Sequence, residues 1–296
     1  MGGIRHAVIL AGGLGTRMLP ASIYSPKEGL PLVDTPIIHH LIWESAKAGV
    51  EEIHIVLSKE KEDLWGEVLD GTARVPEDAR LDLPRSALTP LVEGLKIILH
   101  IQKDPGGVGD AIQTAIGEID EPFLVILGDN LLIKDHVGPS HSGPANASEA
   151  SLELVKKFQE CGGVPCVGLK KIYGEDVSKY GCVEIEGKQV TSIIEKPNHA
   201  GATSMYALCG RYILPGGTGE ILEKCKVEEF GELQSIALLE RIIDDTGLIA
   251  VSLDDFELYD SGDPLSWLKA QIDHSLRRDD IGEKIGIWIA NRLQEK

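Results

Sequence analysis

Four short apolar runs constrain this chain more than anything else in it. His6 to Leu10, Ile53 to Leu57, Ile97 to Ile101 and Phe123 to Leu127 are each a continuous stretch, not an alternating one. Continuous runs of that length are what strands buried on both faces of a parallel sheet look like. Helical sequence separates them. One helix is expected to open at Thr35-Pro36, with Thr35 as cap and Pro36 as first helical residue, and to end near Gly49. A second runs from about Glu60 to Val68, and a third lies within Gly106 to Gly117. Strand and helix in alternation predict an α/β fold with a mostly parallel sheet and helices on both faces.

Beyond this frame, residues 134–148 shift to His, Ser, Gly, Pro and Asn, a surface loop more than a linker. A helix is expected near Ala150 to Gln159. Strands follow around Val167 and over Cys182 to Ile185, Val190 to Glu195 and Ser204 to Ile213. The last part reads as helical: Gly219 to Cys225, Glu232 to Asp245, and Asp263 to Leu276 with Asp263 as cap. In that last helix Leu265, Leu268, Ile272 and Leu276 share one face.

Bulk properties remove several function classes. The net charge of −18 is wrong for a nucleic-acid binder, because such a surface repels a phosphate backbone. No run of about 18 apolar residues exists to span a membrane, and Ala7-Val8-Ile9-Leu10 is too brief for a signal-peptide core. The five cysteines are an odd number and widely spread, which argues for free thiols in a reducing compartment. Cys161 and Cys166 have no second Cys or His cluster at metal spacing, so both read as buried thiols. A cytoplasmic protein is expected. If it binds phosphate, it must do so locally, with metal, backbone N–H groups and a few placed cations.

The first run leads into such an arrangement. Leu10-Ala11-Gly12-Gly13-Leu14-Gly15-Thr16-Arg17 is a glycine-rich turn whose N–H groups a phosphate can approach. It is not a Walker loop, since no Gly-Lys-Ser/Thr follows. It is not a dinucleotide fingerprint either, since Met18 stands where the third glycine belongs. Arg17 and Lys27 supply two cations beside it. Taken alone, the loop also fits a tight strand-to-helix turn with an exposed Arg and Lys.

Read in series, the motifs are more specific. The loop is followed by Ser25-Pro26-Lys27-Glu28 and by Leu30-Pro31-Leu32-Val33-Asp34-Thr35-Pro36. Further on come Gln102 with Gly107-Val108-Gly109, Leu127-Gly128-Asp129, Tyr180-Gly181, Glu195-Lys196-Pro197, Gly210-Arg211-Tyr212, Gly231-Glu232-Leu233-Gln234 and Asp260-Ser261-Gly262. In this order they resemble the sugar-phosphate nucleotidyltransferases, above all the bacterial type of UTP–glucose-1-phosphate uridylyltransferase. The resemblance spans nearly the whole chain. It implies one Rossmann-like nucleotidyltransferase domain over residues 1–296, with a mixed, mostly parallel sheet and a helical C-terminus. The nucleotide part would occupy about 1–133, and the sugar and C-terminal helical part about 150–296.

The same resemblance assigns roles. Asp129 and Asp260 would hold Mg²⁺. Gly12, Gly13, Glu28, Gln102 and Gly107 would hold the nucleotide, and Gly181, Glu195 and Lys196 the sugar phosphate. Arg17, Lys27 and Lys196 would balance phosphate charge. The residues alone leave plainer readings open: Asp129 as a turn cap, Gln102 as a solvated strand end, Glu195 and Lys196 as a solvated pair. UTP and glucose 1-phosphate are the implied substrates, with dTTP or another sugar 1-phosphate as alternatives, in a homo-oligomer (dimer or tetramer). One departure stands out. Relatives usually carry Thr-Asp two residues past the Gln matching Gln234, where this chain has Ile236 and Ala237. That keeps open a non-catalytic paralogue that binds nucleotide-sugar.

Overall fold

The computed structural model describes residues 3–69, 83–104, 106–172, 174–197, 205–225 and 235–295. Most of the irregular segment expected after Gly71 lies outside the described residues, as does the motif ending in Gln234.

The chain begins with β1 (His6–Ala11), the glycine loop and a short helix α1 (Ala21–Tyr24). A two-residue ribbon, β2 (Pro31–Leu32) with β3 (Thr35–Pro36), leads into α2 (Ile37–Lys47). Then come β4 (Glu52–Ser58), α3 (Lys59–Leu69), α4 (Arg85–Leu88), β5 (Lys96–Gln102), α5 (Gly107–Ala115), β6 (Phe123–Leu127) and β7 (Asn130–Ile133). The second half holds α6 (Ala150–Glu160), β8 (Cys166–Lys171), a hairpin of β9 (Cys182–Glu186) and β10 (Gln189–Ile194), and β11 (Tyr206–Leu214). It closes with α7 (Thr218–Lys224), α8 (Ser235–Thr246), β12 (Ile249–Ser252), β13 (Glu257–Asp260), α9 (Pro264–Arg277) and α10 (Gly282–Gln294).

Nine strands form one sheet in the order β5-β4-β1-β6-β11-β8-β12-β10-β9. The first four are parallel, and β11 reverses direction against both β6 and β8, so the sheet is mixed. The continuous apolar runs have a simple cause. Along β1, β4 and β6, Val8, Val56 and Val125 face one core with Ile112 of α5 and Leu238 of α8. Their neighbours Ile9, Ile55 and Ile126 face the other core, with Leu41 of α2 and Leu154 of α6. Both faces are covered, so both are mostly apolar, with His54 of β4 a buried exception.

Three sequence expectations need correction. Thr35 and Pro36 do not open the helix; they pair with Leu32 and Pro31, and Pro36 is extended (ψ 139°) ahead of a helix that starts at Ile37. The segment read as all-helical at the end contains β12 and β13. The apolar stripe of α9 is one face, as expected, and it faces outward. Leu265, Leu268, Ile272 and Leu276 are 62, 50, 41 and 40% exposed, while Ala270, His274 and Ser275 make the buried side. The Asp263 cap is formed as expected, its side chain accepting from the N–H groups of Leu265 and Ser266, both at 3.0 Å. The third correction is Cys161, expected as a buried thiol like Cys166 and found half-buried; all five cysteines are free.

Candidate active site

Parallel strands place their carboxyl ends along one edge of a sheet, and ligand sites form there. On that edge stand Gly12 and Gly13 after β1, Gln102 at the end of β5, and Asp129 just after β6. The approaches are close. A side chain on Gly128 would put its Cβ 2.5 Å from the Leu10 carbonyl, which accepts from the Gly128 N–H at 3.0 Å. A Cβ on Gly12 would stand 2.8 Å from Gln102 Oε1. Glycine is what these contacts allow.

Lys27 donates to Asp129 Oδ2 at 2.5 Å. Burial alone would lower the Lys27 pKa, but Asp129 and then Glu28 outweigh it and raise it above the ordinary value. Asp129 is the mirror image: burial would raise its carboxyl, and Lys27 holds it below the usual range.

Asp260 arrives by a different route. The β13 strand pairs antiparallel with β7, setting Asp260 opposite Asn130, next to Asp129. Ser261 locks the junction, its N–H and hydroxyl both donating to the Asp129 carbonyl at 2.9 and 3.0 Å. Burial raises the Asp260 pKa; the Gly262 N–H (2.6 Å) and Arg17 oppose the rise, and nearby Asp129 adds to it. A Cβ on Gly262 would be 2.8 Å from both the Arg17 guanidinium and Asp260 Oδ1, so Arg17 and Asp260 flank the same glycine. Arg17, Lys27, Asp129 and Asp260 thus share one corner.

Glu28 and Gln102 are held by residues that no motif announced. Glu28 is 1% exposed, and its carboxylate meets Lys61 Nζ at 2.8 Å; Lys61 also donates to the Ala11 carbonyl at 2.6 Å. Burial pushes Glu28 up and Lys61 down, each partly offset by the other's charge. Glu28 Oε1 has no hydrogen-bond partner among the described residues. Gln102 Nε2 donates to Asp110 Oδ2 at 2.6 Å, which turns Oε1 toward Gly12. Gly107, with φ 90°, opens α5 beside it. Lys61 lies buried on α3 among other charged residues, and Asp110 lies half-buried as the one charged residue of α5; nothing local in the sequence marks either as a partner of the site.

A second group forms around β9 and β10. Gly181 sits with Glu195 and Ile236: a Cβ there would be 3.3 Å from Glu195 Oε2 and 3.5 Å from Ile236 Cδ1. Lys196 has φ +40°, a strained conformation for a lysine, and its N–H donates to the Tyr180 carbonyl at 3.2 Å. Its ammonium lies 3.3 Å from Glu195, both half-exposed or more, and not against the Lys27–Asp129 pair. The two groups flank β11. Burial raises the Tyr212 phenol pKa first, and Glu195 and Asp129 both add to the rise.

Arg211, which precedes Tyr212, ties this scaffold together. It is fully buried and meets Glu44 of α2 through two bonds of 2.7 and 2.8 Å, while also donating to the Asn130 carbonyl at 3.0 Å. Ser151 of α6 donates to the same Glu44 at 2.5 Å. The residue after Asp129 is therefore anchored from two helices.

Comparison with known proteins shows the family. The nucleotidyl transferase family profile matches residues 6–276. The UTP–glucose-1-phosphate uridylyltransferase YngB of Bacillus subtilis is 31% identical over 302 residues, covering 99% of this chain and 97% of that protein. The enzyme of that name from Staphylococcus epidermidis is 31% identical over 298 residues, covering 97% of each chain. Among solved structures, a UDP-glucose pyrophosphorylase complexed with UDP-glucose superposes with a TM-score of 0.77 at 29% identity, over 92% of this chain and 98% of that one. A UTP-bound enzyme from Acinetobacter baumannii reaches 0.80 at 25% identity, over 97% and 99%. On fold, motif order and full-length similarity, this chain belongs to the nucleotidyl transferase family.

Proposed function

We propose that this chain joins UTP to glucose 1-phosphate, giving UDP-glucose and pyrophosphate. One observation carries the reading: Arg17, Lys27, Asp129 and Asp260 meet at one corner beside the glycine loop and Gln102. They do so in a chain similar end to end to enzymes named for that reaction. A phosphate oxygen of glucose 1-phosphate attacks the α-phosphorus of UTP in line. The new P–O bond forms as the bond to the β-phosphate oxygen breaks, and pyrophosphate leaves with that electron pair. The attacking oxygen is already anionic, so no side chain needs to remove a proton. The protein contributes position and charge.

Asp129 and Asp260 fit a Mg²⁺ ion: two adjacent carboxylates with little besides oxygen on offer, one already holding a cation in the form of Lys27. Bound there, the ion supplies charge neutralisation for the phosphates. Arg17 steadies the departing pyrophosphate, and Lys27 and Lys196 offset the repulsion between two anionic substrates. Gly12, Gly13, Gly107 and Gln102 hold the base, with Glu28 Oε1 as a spare acceptor for a ring N–H. Gly181, Glu195 and Lys196 hold the sugar phosphate.

The same reading takes residues 1–296 as one catalytic domain, because strands from both halves share the nine-stranded sheet. It makes the chain a cytoplasmic homo-oligomer, dimer or tetramer. Free thiols support the compartment. The oligomer rests on the exposed stripe of α9, continued by Ile287, Trp288 and Leu293 of α10 at 56, 57 and 69% exposure.

Ile236, packed toward Gly181 and Glu195, favours a second reading in which the sugar differs or turnover is lost. Pyrophosphate release, assayed with Mg²⁺ for each nucleoside triphosphate against a panel of sugar 1-phosphates, separates these. Fast release with UTP and glucose 1-phosphate is the expected result. Release with dTTP or another sugar alone corrects the substrate. No release, with UDP-glucose still bound, leaves a binding paralogue.

A further inference from the structure

The far end of the sheet carries a cluster that the nucleotide site does not use. His6 opens β1, Glu52 opens β4, and His54 follows two residues later on the same face. Position 6 lies on the order of 15–20 Å along the strand from Gly12. His6 Nδ1 and His54 Nε2 stand 3.2 Å apart. Two imidazole nitrogens, each about 2.1 Å from a tetrahedral ion, would stand about 3.4 Å apart. A Glu52 carboxylate oxygen completes a trio whose ligand atoms all lie within 4.8 Å of one another.

We propose that His6, His54 and Glu52 bind a borderline transition-metal dication of the Zn²⁺ type, with solvent as fourth ligand. The surroundings are built as metal sites are. Metal-bound imidazoles present their second nitrogen to a carboxylate or another acceptor, which fixes ring and tautomer. Here His6 Nε2 lies 3.2 Å from Glu121 Oε1, and His54 Nδ1 lies 2.9 Å from His100 Nε2. His54 is fully buried and its ring stacks on His100 at 5.1 Å, so its orientation is set in advance. Glu52 pairs with Lys96 at 3.0 Å, and Lys96 is 63% exposed, so this partner swings away at little cost. Two nitrogens among three ligands select against Mg²⁺, which prefers oxygen, so the ion needed at the other end of the sheet does not compete. The net charge of −18 draws cations to the surface in general.

The rival arrangement is a ladder of protons. Each imidazole can donate from Nε2, His100 to His54, His54 to His6 and His6 to Glu121, with no metal. Titration decides between the two. Untagged protein, stripped with chelator and kept in excess Mg²⁺, is titrated with Zn²⁺ against a chromogenic chelator, and in parallel with Co²⁺ read by visible absorption. One equivalent per chain is expected, with tetrahedral Co²⁺ bands. His6→Ala should weaken binding at least about 100-fold, Glu121→Gln about 10-fold as an outer partner, and Lys96→Ala should tighten it. Metal-free melting of His6→Ala checks that it folds. Absence of stoichiometric binding, or equal affinity in His6→Ala, overturns the proposal and leaves the proton ladder.

Discussion

At the scale of single residues, the cleft works through a few contacts whose loss can be sized. Lys27 is the cation nearest Asp129 and cannot be replaced from solvent. Lys27→Ala should lower kcat by about 10²–10³-fold, the usual loss for one preorganised transition-state contact. A rate within twofold of the parent would remove Lys27 from the machinery. Asp110 acts at one remove. It turns the Gln102 amide, so Asp110→Ala should raise KM for UTP about tenfold with kcat nearly unchanged. Steady-state kinetics with UTP varied separates that from a loss of chemistry, in which kcat would fall instead. Much of this layer was legible in the sequence, because Arg17, Lys27, Asp129, Asp260 and Gln102 sit in compact motifs. Lys61 and Asp110 were not. A charge in a helix, buried like Lys61 or half-buried like Asp110, looks like a solvated one until its partner, 33 or 8 residues away in the chain, is in place.

At the scale of elements, the buried Arg211–Glu44 pair joins β11 to α2 and holds the Asn130 carbonyl at the head of β7. Glu44→Ala leaves a guanidinium stranded at 0% exposure, a loss of about 3–5 kcal/mol. Urea unfolding measures it, and a change below 1 kcal/mol would mean the pair is not load-sharing. The strands β1, β4 and β6 were plain in the sequence because both of their faces are core, and the edge strand β5, though only half-buried, kept the same apolar run. The strands β12 and β13 were not: four residues each, with Glu257 and Asp260 inside the second, they carry no period to read. Thr35-Pro36 misled for a similar reason. It has the chemistry of a helix start, but the Leu32–Thr35 pairing claims it first. The stripe on α9 was legible as one face, but helical spacing identifies an apolar face without saying what covers it.

At the scale of the whole molecule, two properties are open to measurement. Burial holds His39 at about 4, and His40 and His274 at about 3, against an ordinary value near 6.5. The unfolded chain takes up these protons below that value and the folded chain resists them. Their contribution to stability is whole above pH 6.5 and is lost as the pH falls toward 3, that of His39 by about 4. At pH 5.5 the three together should cost about 4 kcal/mol. A urea midpoint that does not move between pH 7.5 and 5.5 contradicts this. The outward stripe on α9 makes the second prediction. Ile272→Glu should shift sedimentation toward the monomer while leaving the metal-free fold intact, and an unchanged sedimentation coefficient would place the contact elsewhere. Finally, the pairing of β13 with β7 joins two acids that lie 131 positions apart in the sequence. A ribosome delivers the glycine loop, both cations and the first acid early, but the second only 131 residues later. On the proposed reading, the emerging polypeptide until then owns half of an ion site, and nucleotide chemistry waits for β13 to pair with β7.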